Sequence, residues 1–550
     1  MSGKLIERTP GAYGYPLLIK QLLHGAPIHA EQEIVYRDRA RYRYGDLLQR
    51  INRLADALAR LGVEAGETVA VMDWDSHRYL ECFFAVPMMG AVLQTVNIRL
   101  SNEQILYTLN HAGAGTVIVH ADFLPVLAAI RDKLETVRRL VLIAEEGEVA
   151  QGGIPFAGGY EAMLAAASPQ YDFPDFDENT RATTFYTTGT TGLPKGVYFS
   201  HRQLVLHTLA ELAALGMPGR QGRFHADDVY MPITPMFHVH AWGFPYAATV
   251  MGVKQVYPGR YAPDLLLRLI EGEGVTFSHC VPTILHMLLN HPAGQGIDLS
   301  RWKVIIGGSA LPRALAEQSL QRGIDIFTGY GMSETCPVLT LAQLPSTAVA
   351  ESADRGLDLR IKAGRPVPLV DLRVVDAEMR DVPQDGSATG EIVARAPWLT
   401  QGYLKNPDAS AQLWAGGYLH TNDIGKIDEQ GYVAITDRIK DVIKTGGEWV
   451  SSIELEDIIA QHPAVSEVAV IAAKDARWGE RPIALVVAKT DRAGEVTGEA
   501  IKRHVAAYVE RGIISKYAVP ERVIVVEALQ RTSVGKLDKK TMRERYAVEA

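Results

Sequence analysis

Residues Tyr186–Gly196 read YTTGTTGLPKG. Threonines, glycines, one proline and one lysine packed this closely leave little to bury, so the stretch reads as an exposed loop. Glycine lets backbone N–H groups approach a ligand closely, and such turns form anion-binding concavities. A Walker loop needs Gly-Lys followed by Ser or Thr at the start of a helix. Here Lys195 follows Pro194 and precedes Gly196, and the next residues, GVYFSH, read as a strand. The stretch is therefore read as a strand–loop–strand phosphate clamp. An ordinary glycine-rich hairpin seldom needs this many hydroxyls.

The rest of the chain sets the scale around that loop. At 550 residues, with 47% hydrophobic and 22% charged content, it is globular and too long for one ordinary core. A net charge of −8 gives no support for a nucleic-acid partner. Three dispersed cysteines, Cys82, Cys280 and Cys336, contain no CxxC pair, which argues against a disulfide framework or structural zinc. They are expected as small buried hydrophobes, with Cys336 alternatively in a pocket wall. The N-terminus does not read as a secretory signal, and no apolar run approaches the length of a membrane span. The expectation is a cytoplasmic protein with no integral membrane segment.

Periodicity outlines the architecture. Leu47, Ile51, Leu54, Leu58 and Leu61 form the apolar stripe of a helix, with Asp46 as its expected N-cap. The stretches ETVAVMDWD, AGTVIVH, RRLVLIAEE, GVTFSHCVPTILHMLL and WKVIIGGSALPRALAEQSL continue a helix–strand alternation, which argues for mainly parallel α/β sheets. After about Ala363 the pattern changes. RPVPLVDLRVVD, GEIVARAP and GYVAITDR are short strands split by turns, as in a small antiparallel sheet or barrel. A compact α+β tail follows a charged join at Asp437–Asp441.

Four more motifs follow the loop in order: YGMSET (Tyr330–Thr335), YLHTNDIG (Tyr418–Gly425), DRIKDVIKTGGEWVSSIELE (Asp437–Glu456) and RTSVGKLDKK (Arg531–Lys540). Together they span nearly the whole chain. On these residues the sequence resembles the adenylate-forming superfamily, in its acyl-CoA synthetase branch, and most of all bacterial medium-chain fatty-acyl-CoA ligases. The resemblance implies an α/β fold. Residues 1–438 would form a large N-terminal domain of α/β subdomains plus a small β-barrel. Residues 439–550 would form a smaller, mobile α+β domain. It also implies an ATP-dependent ligase that joins a carboxylate to AMP and then passes the acyl group to CoA, with ATP, Mg²⁺ and coenzyme A as cofactors.

The same resemblance assigns roles residue by residue. Lys536 would be the catalytic lysine that bridges the acid carboxylate and the α-phosphate. Thr187, Thr188, Gly189, Thr190, Thr191, Gly192 and Lys195 would hold the β,γ-phosphates. Glu334 would ligate Mg²⁺, with Thr188 beside it. Ser309, Ala310 and Tyr330 would lie near the adenine, with Gly329, Gly331, Met332 and Ser333 completing that strand end. Asp423 and Arg438 would contact the ribose. Asn422 stands where glycine is usual, and its tolerance of positive φ preserves the turn. Gln530 stands where proline commonly precedes the lysine loop. Lys440 matches the hinge, and Lys444, Gly446, Gly447, Glu448 and Trp449 would line the pantetheine tunnel after domain rotation. Trp478 is read equally as tunnel wall or core.

For the acid, the resemblance at PMFHVHAWGFP (Pro235–Pro245) implies His238 as a gate beside the carboxylate, and Val239 and Trp242 would shape the pocket. Gly307 and Gly308 in IIGGSALP leave room for an acyl chain, and Met332, Cys336 and Pro337 complete its walls. No acidic residue stands where peptide-synthetase relatives hold an amino group, so a slim aliphatic acid of short-to-medium length, or a thioether acid such as methylthiopropionate, is expected. Alternatives are an aryl- or alicyclic-carboxylate CoA ligase, an acyl-AMP ligase loading a carrier protein, and an acyl sensor without turnover. A homodimer is the expected assembly.

Overall fold

The computed structural model describes residues 3–145, 154–187, 193–217, 221–345, 353–445, 448–475, 477–532 and 536–547. Two large sheets carry the first two-thirds of the chain. The seven-stranded sheet runs in the order Gly158–Gly159, Arg139–Ile143, Ala114–His120, Thr68–Met72, Val92–Thr95, Arg181–Thr187, Lys195–Ser200. Its strands are parallel except for the last pair, the antiparallel hairpin around the threonine loop. Thr68–Met72 and Ala114–His120 are buried at every position, as strands covered on both faces must be. That is why they read as continuous apolar runs.

The nine-stranded sheet is parallel through its centre, Lys254–Tyr257, Val229–Pro232, Phe277–Cys280, Lys303–Ile306 and Asp325–Gly331. Lys303–Ile306 ends at the glycine pair Gly307–Gly308, and Asp325–Gly331 ends in the YGMSET turn. Both motifs therefore emerge at the same edge, where the carboxyl ends of parallel strands form the usual ligand crevice.

The first long helix is Tyr44–Arg60, and it buries Leu47, Ile51, Leu54 and Leu58 as its spacing requires. Its N-cap is Arg43 rather than Asp46. Asp46 sits in the first turn and accepts the Arg43 N–H at 3.0 Å. The helix starts earlier because Tyr44 is buried and donates its hydroxyl to the Val253 carbonyl at 2.7 Å. Leu61 lies just past the last turn.

The short strands after Ala363 divide between two sheets. Arg365–Pro366 pairs with Val338–Leu341 at the edge of the nine-stranded sheet. Asp371–Val375, Gly390–Arg395, Leu419–Ile427 and Val433–Arg438 form a four-stranded antiparallel sheet. Between them Leu369 adopts φ +70°, a turn conformation that stops one strand from serving both sheets.

The C-terminal unit is a five-stranded sheet with helices Ser452–Ala460, Gly498–Glu510 and Lys539–Tyr546, packed around its own apolar clusters. Asp437 ties the join. Its buried carboxylate accepts the N–H of Arg438 at 2.7 Å and of Ser452 at 2.6 Å. Arg543 adds an ion pair to Asp441 at 2.6 Å. Among the described residues no helix is long and apolar enough to cross a membrane.

Candidate active site

The threonine loop joins two antiparallel strands, and Thr187 and Lys195 are direct partners across them. Thr188, Gly189, Thr190, Thr191 and Gly192 lie outside the described residues. Lys195 places its ammonium 4.6 Å from the centre of the Tyr403 ring. The Tyr403 hydroxyl donates to Glu334 Oε1 at 2.7 Å. Glu334 is buried on the short turn Ser333–Thr335. Burial raises its carboxyl above the ordinary range, and Lys195 and Lys536 pull it back. Tyr403 was not legible in the sequence, because no motif surrounds it.

A second acidic group sits across the crevice. Asp423 accepts the Tyr330 hydroxyl at 2.9 Å and Arg438 Nε at 3.3 Å. Strand register brings this about, since Asp423 and Arg438 are direct partners across antiparallel strands. Asn422 lies inside the strand Leu419–Ile427 rather than in a turn, and has φ +58°, a conformation asparagine tolerates in place of glycine.

Lys536 comes from the C-terminal unit and enters a pocket of the N-terminal one. It lines that pocket with Arg99, Thr234, His238, Trp242 and Gly308. A Cβ on Gly308 would stand 3.2 Å from Lys536 Cε and 3.8 Å from Nζ, and Gly308 has φ +80°. The lysine loop is closed by main-chain bonds: Thr532 N–H to the Lys536 carbonyl at 2.7 Å, and Asp538 N–H to the Gln530 carbonyl at 2.9 Å. Neither bond needs a proline at position 530. Burial, followed by Arg438, lowers the Lys536 ammonium to about 8, while Asp423 and Glu334 oppose that shift. His238 is pushed down to about 3 by burial, then by Lys536 and Arg99, so it is a neutral imidazole at physiological pH.

Trp242 is aimed by an unusual backbone. Val239, His240, Ala241, Trp242 and Gly243 all have φ between +48° and +86°. Left-handed conformation costs roughly 1–2 kcal/mol per non-glycine residue, and such strain concentrates at functional sites. The turn lays the indole on Gly307, where a Cβ would meet Trp242 Cη2 at 2.9 Å. Of the expected acid-site residues, His238, Trp242 and Gly308 line the pocket with Lys536; Val239, Met332, Cys336 and Pro337 do not. Gly329 and Gly331 are strand residues packed against Ile305 and Pro337, and Ser309 and Ala310 are exposed beyond Gly308.

Arg99 was missed by the sequence reading. It lies 5.9 Å from each of the Phe237 and Tyr261 rings at the same pocket, and an arginine in the apolar stretch VLQTVNIRL was the available signal. On the C-terminal unit, Lys440 is lowered by burial, and Lys444 donates its main-chain N–H to Glu480 at 2.8 Å. Neither lines the pocket. Gly446, Gly447 and the side chains of Glu448 and Trp449 lie outside the described residues. Trp478 packs on Tyr517, with ring centres 5.4 Å apart, within the C-terminal unit.

The converging lysines, the threonine hairpin and the two buried carboxylates have a counterpart in sequence. Residues 24–404 match the family described as AMP-binding enzyme, and residues 454–536 match its C-terminal domain. The chain belongs to the AMP-binding enzyme family. It is 40% identical to a long-chain-fatty-acid–CoA ligase of Thermus thermophilus, over 98% of this chain and 94% of that one. It is 37% identical to a 3-methylmercaptopropionyl-CoA ligase of Ruegeria lacuscaerulensis, over 96% and 97%. The ATP-bound structure of MatB from Rhodopseudomonas palustris superposes with TM-score 0.81 at 25% identity, covering 96% of this chain and 98% of that one. The chain is thus an AMP-forming acid–CoA ligase, using ATP, Mg²⁺ and coenzyme A.

Proposed function

We propose that the acid is a short-to-medium-chain aliphatic carboxylate, with thioether acids such as methylthiopropionate in the same class. The observation that carries this reading is Lys536 seated against Gly308 in a pocket whose other walls include Ile233, Val281, Ile284 and Trp242. A carboxylate can meet the Lys536 cation in this pocket while its chain lies along Trp242. Relatives named for fatty acids and for methylmercaptopropionate support the class.

In this reading the residues divide the chemistry as follows. An anionic carboxylate must approach an anionic α-phosphate, so fixed positive charge is the main requirement. Lys536 neutralises the carboxylate at the point of attack, and Arg99 extends the positive field to the pocket mouth. Lys195 and Thr187, with the loop they bracket, hold the leaving pyrophosphate. Asp423, oriented by Tyr330 and Arg438, accepts the ribose hydroxyls. Glu334 fits a magnesium ion, which takes one or two carboxylates beside phosphate oxygens; it would hold the ion with Thr188, and the bound ion supplies charge neutralisation. Residues 1–438 and 439–550 act as the two domains. Rotation about Lys440 withdraws Lys536 and presents Lys444, Gly446, Gly447, Glu448 and Trp449 for thiol attack. A homodimeric, cytoplasmic enzyme belongs to the same proposal, and light scattering tests the dimer.

Pyrophosphate release from ATP and Mg²⁺ across acids from propionate to palmitate, with benzoate and cyclohexanecarboxylate added, tests the substrate class. CoA-dependent turnover peaking at one aliphatic length supports it. A peak on benzoate, or turnover indifferent to CoA, overturns it.

Two further outcomes follow from the geometry. Lys536 works as a cation, so kcat/KM for acyl-AMP formation should hold below about pH 8 and fall about tenfold per pH unit above it. A flat profile to pH 10 would remove that role. Trp242→Ala should move the length optimum toward longer acids while lowering stability by about 3–5 kcal/mol in denaturant unfolding. An unchanged optimum would place the acyl chain elsewhere.

A further inference from the structure

Behind the Trp242–Gly243 main chain lies a set of polar side chains that the adenylation chemistry does not use. Glu211, on the helix His201–Gly216, is 1% exposed, and neither of its carboxyl oxygens has a hydrogen-bond partner. His207, one turn earlier, accepts the Val338 N–H on Nε2 at 3.2 Å, which leaves its Nδ1 edge for another partner. Both groups point at the same spot. A Cβ built on Gly243 would stand 3.0 Å from His207 Nδ1 and 3.3 Å from Glu211 Oε2. The buried Cys336 thiol, just past the YGMSET turn, is near enough to Glu211 to interact with it electrostatically. His240, on the left-handed turn, is fully buried with both ring nitrogens unpartnered among Phe83, Phe185 and Phe199.

Buried polar groups are nearly always paired, and an unpaired one costs about 1–3 kcal/mol. Glu211 is therefore a group whose partner is supplied by something that comes and goes. Burial holds its carboxyl well above the ordinary range, which favours the protonated form that can donate a hydrogen bond. Its position bears on what that partner is. Glu211 faces Gly243, the residue after Trp242, and Trp242 lines the pocket of Lys536.

We propose that Glu211 is a specificity-determining residue: its carboxyl group donates a hydrogen bond to an acceptor atom in the distal half of the acid, so the enzyme prefers medium-chain acids carrying an ether, thioether or keto group there. This assignment rests on the acyl-CoA ligase reading above and narrows its substrate class. The chemistry is recognition alone, with no bond made or broken. A site built around a polar donor discriminates against an analogue that leaves the donor unpaired, whereas an apolar wall scarcely distinguishes a methylene from an oxygen of similar size.

The test is an oxa-acid scan. Heptanoate is compared with the isosteric acids in which one oxygen replaces successive chain methylenes, 5-methoxypentanoate among them. CoA-dependent AMP release is measured for each, in the wild type and in Glu211→Leu and Glu211→Gln. The readout is the kcat/KM ratio of each oxa-acid to heptanoate, which cancels any loss of folded enzyme. The expected result is a wild-type preference of about tenfold or more for one oxygen position, erased in Glu211→Leu and largely kept in Glu211→Gln, which still donates. A flat wild-type profile overturns the proposal without needing either variant. A preference that survives in Glu211→Leu overturns it as well. Failure of heptanoate and every oxa-acid to give CoA-dependent AMP release overturns the ligase reading beneath it, a result distinct from a flat profile.

Discussion

Lys536→Ala is expected to lower acyl-AMP formation by at least about 10²–10³-fold, the range found when one preorganised charge-stabilising group is removed from an active site. The reason is positional. Lys536 is the pocket's contribution from the C-terminal unit, and it stands against Gly308 with Arg438, Asp423 and Glu334 close enough to shift its charge equilibrium. The neighbouring cations are placed differently: Lys195 lies against the Tyr403 ring, Arg438 pairs with Asp423, and Arg99 lies against Phe237 and Tyr261. Thioester formation from synthetic acyl-AMP and CoA should persist, because the proposed second orientation withdraws this lysine. Rapid-quench assays of the two half-reactions separate the outcomes. Equal loss of both would show that Lys536 holds the site together rather than driving adenylation.

Gly308→Val is expected to cost a comparable factor, with a different signature. Gly308 has φ +80°, a conformation that a β-branched residue adopts only under strain. Its first new atom would stand 3.2 Å from both Lys536 Cε and Val281 Cγ1, tighter than ordinary contact. The branch must displace the lysine or close the acid slot. Misplacing a reacting group by about 1 Å can cost about 10² in rate. The variant should therefore lose acyl-AMP formation and raise the KM for the acid, while ATP binding, read by nucleotide fluorescence, changes little. A variant with normal acid KM would show that the acid carboxylate does not lie against this glycine.

The parts of the site legible in the sequence are those whose chemistry is local. The threonine loop announces itself through composition, while the glycine pair Gly307–Gly308 and the lysine in SVGK take their roles from the resemblance carried by the motifs together. The positive φ at Asn422 was likewise readable, because asparagine tolerates it. Asp46 shows the limit of that reasoning. It is a good capping residue by type, but burial of Tyr44 started the helix three residues earlier and moved Asp46 into the first turn. The split of the RPVPLVDLRVVD stretch between two sheets has the same character: the strand propensity was local, and the partner was chosen by the surrounding sheets.

From its sequence alone the chain was bound to be a multi-domain α/β protein with an exposed threonine- and glycine-rich loop and a lysine-bearing tail, because hydrophobic period and loop composition are properties of neighbours along the chain. Only the tertiary structure decided that Tyr403 donates to Glu334, that Arg99 shares the pocket of Lys536, and that Glu211 faces Gly243 without a partner. These residues lie outside any motif, and their roles come from strand register, helix packing and a left-handed turn that bring distant segments within a few ångströms. The orientation of the C-terminal unit belongs with them. Lys536 reaches Gly308 through packing across the join at Asp437, a contact between residues far apart in the chain, and no local pattern encodes it.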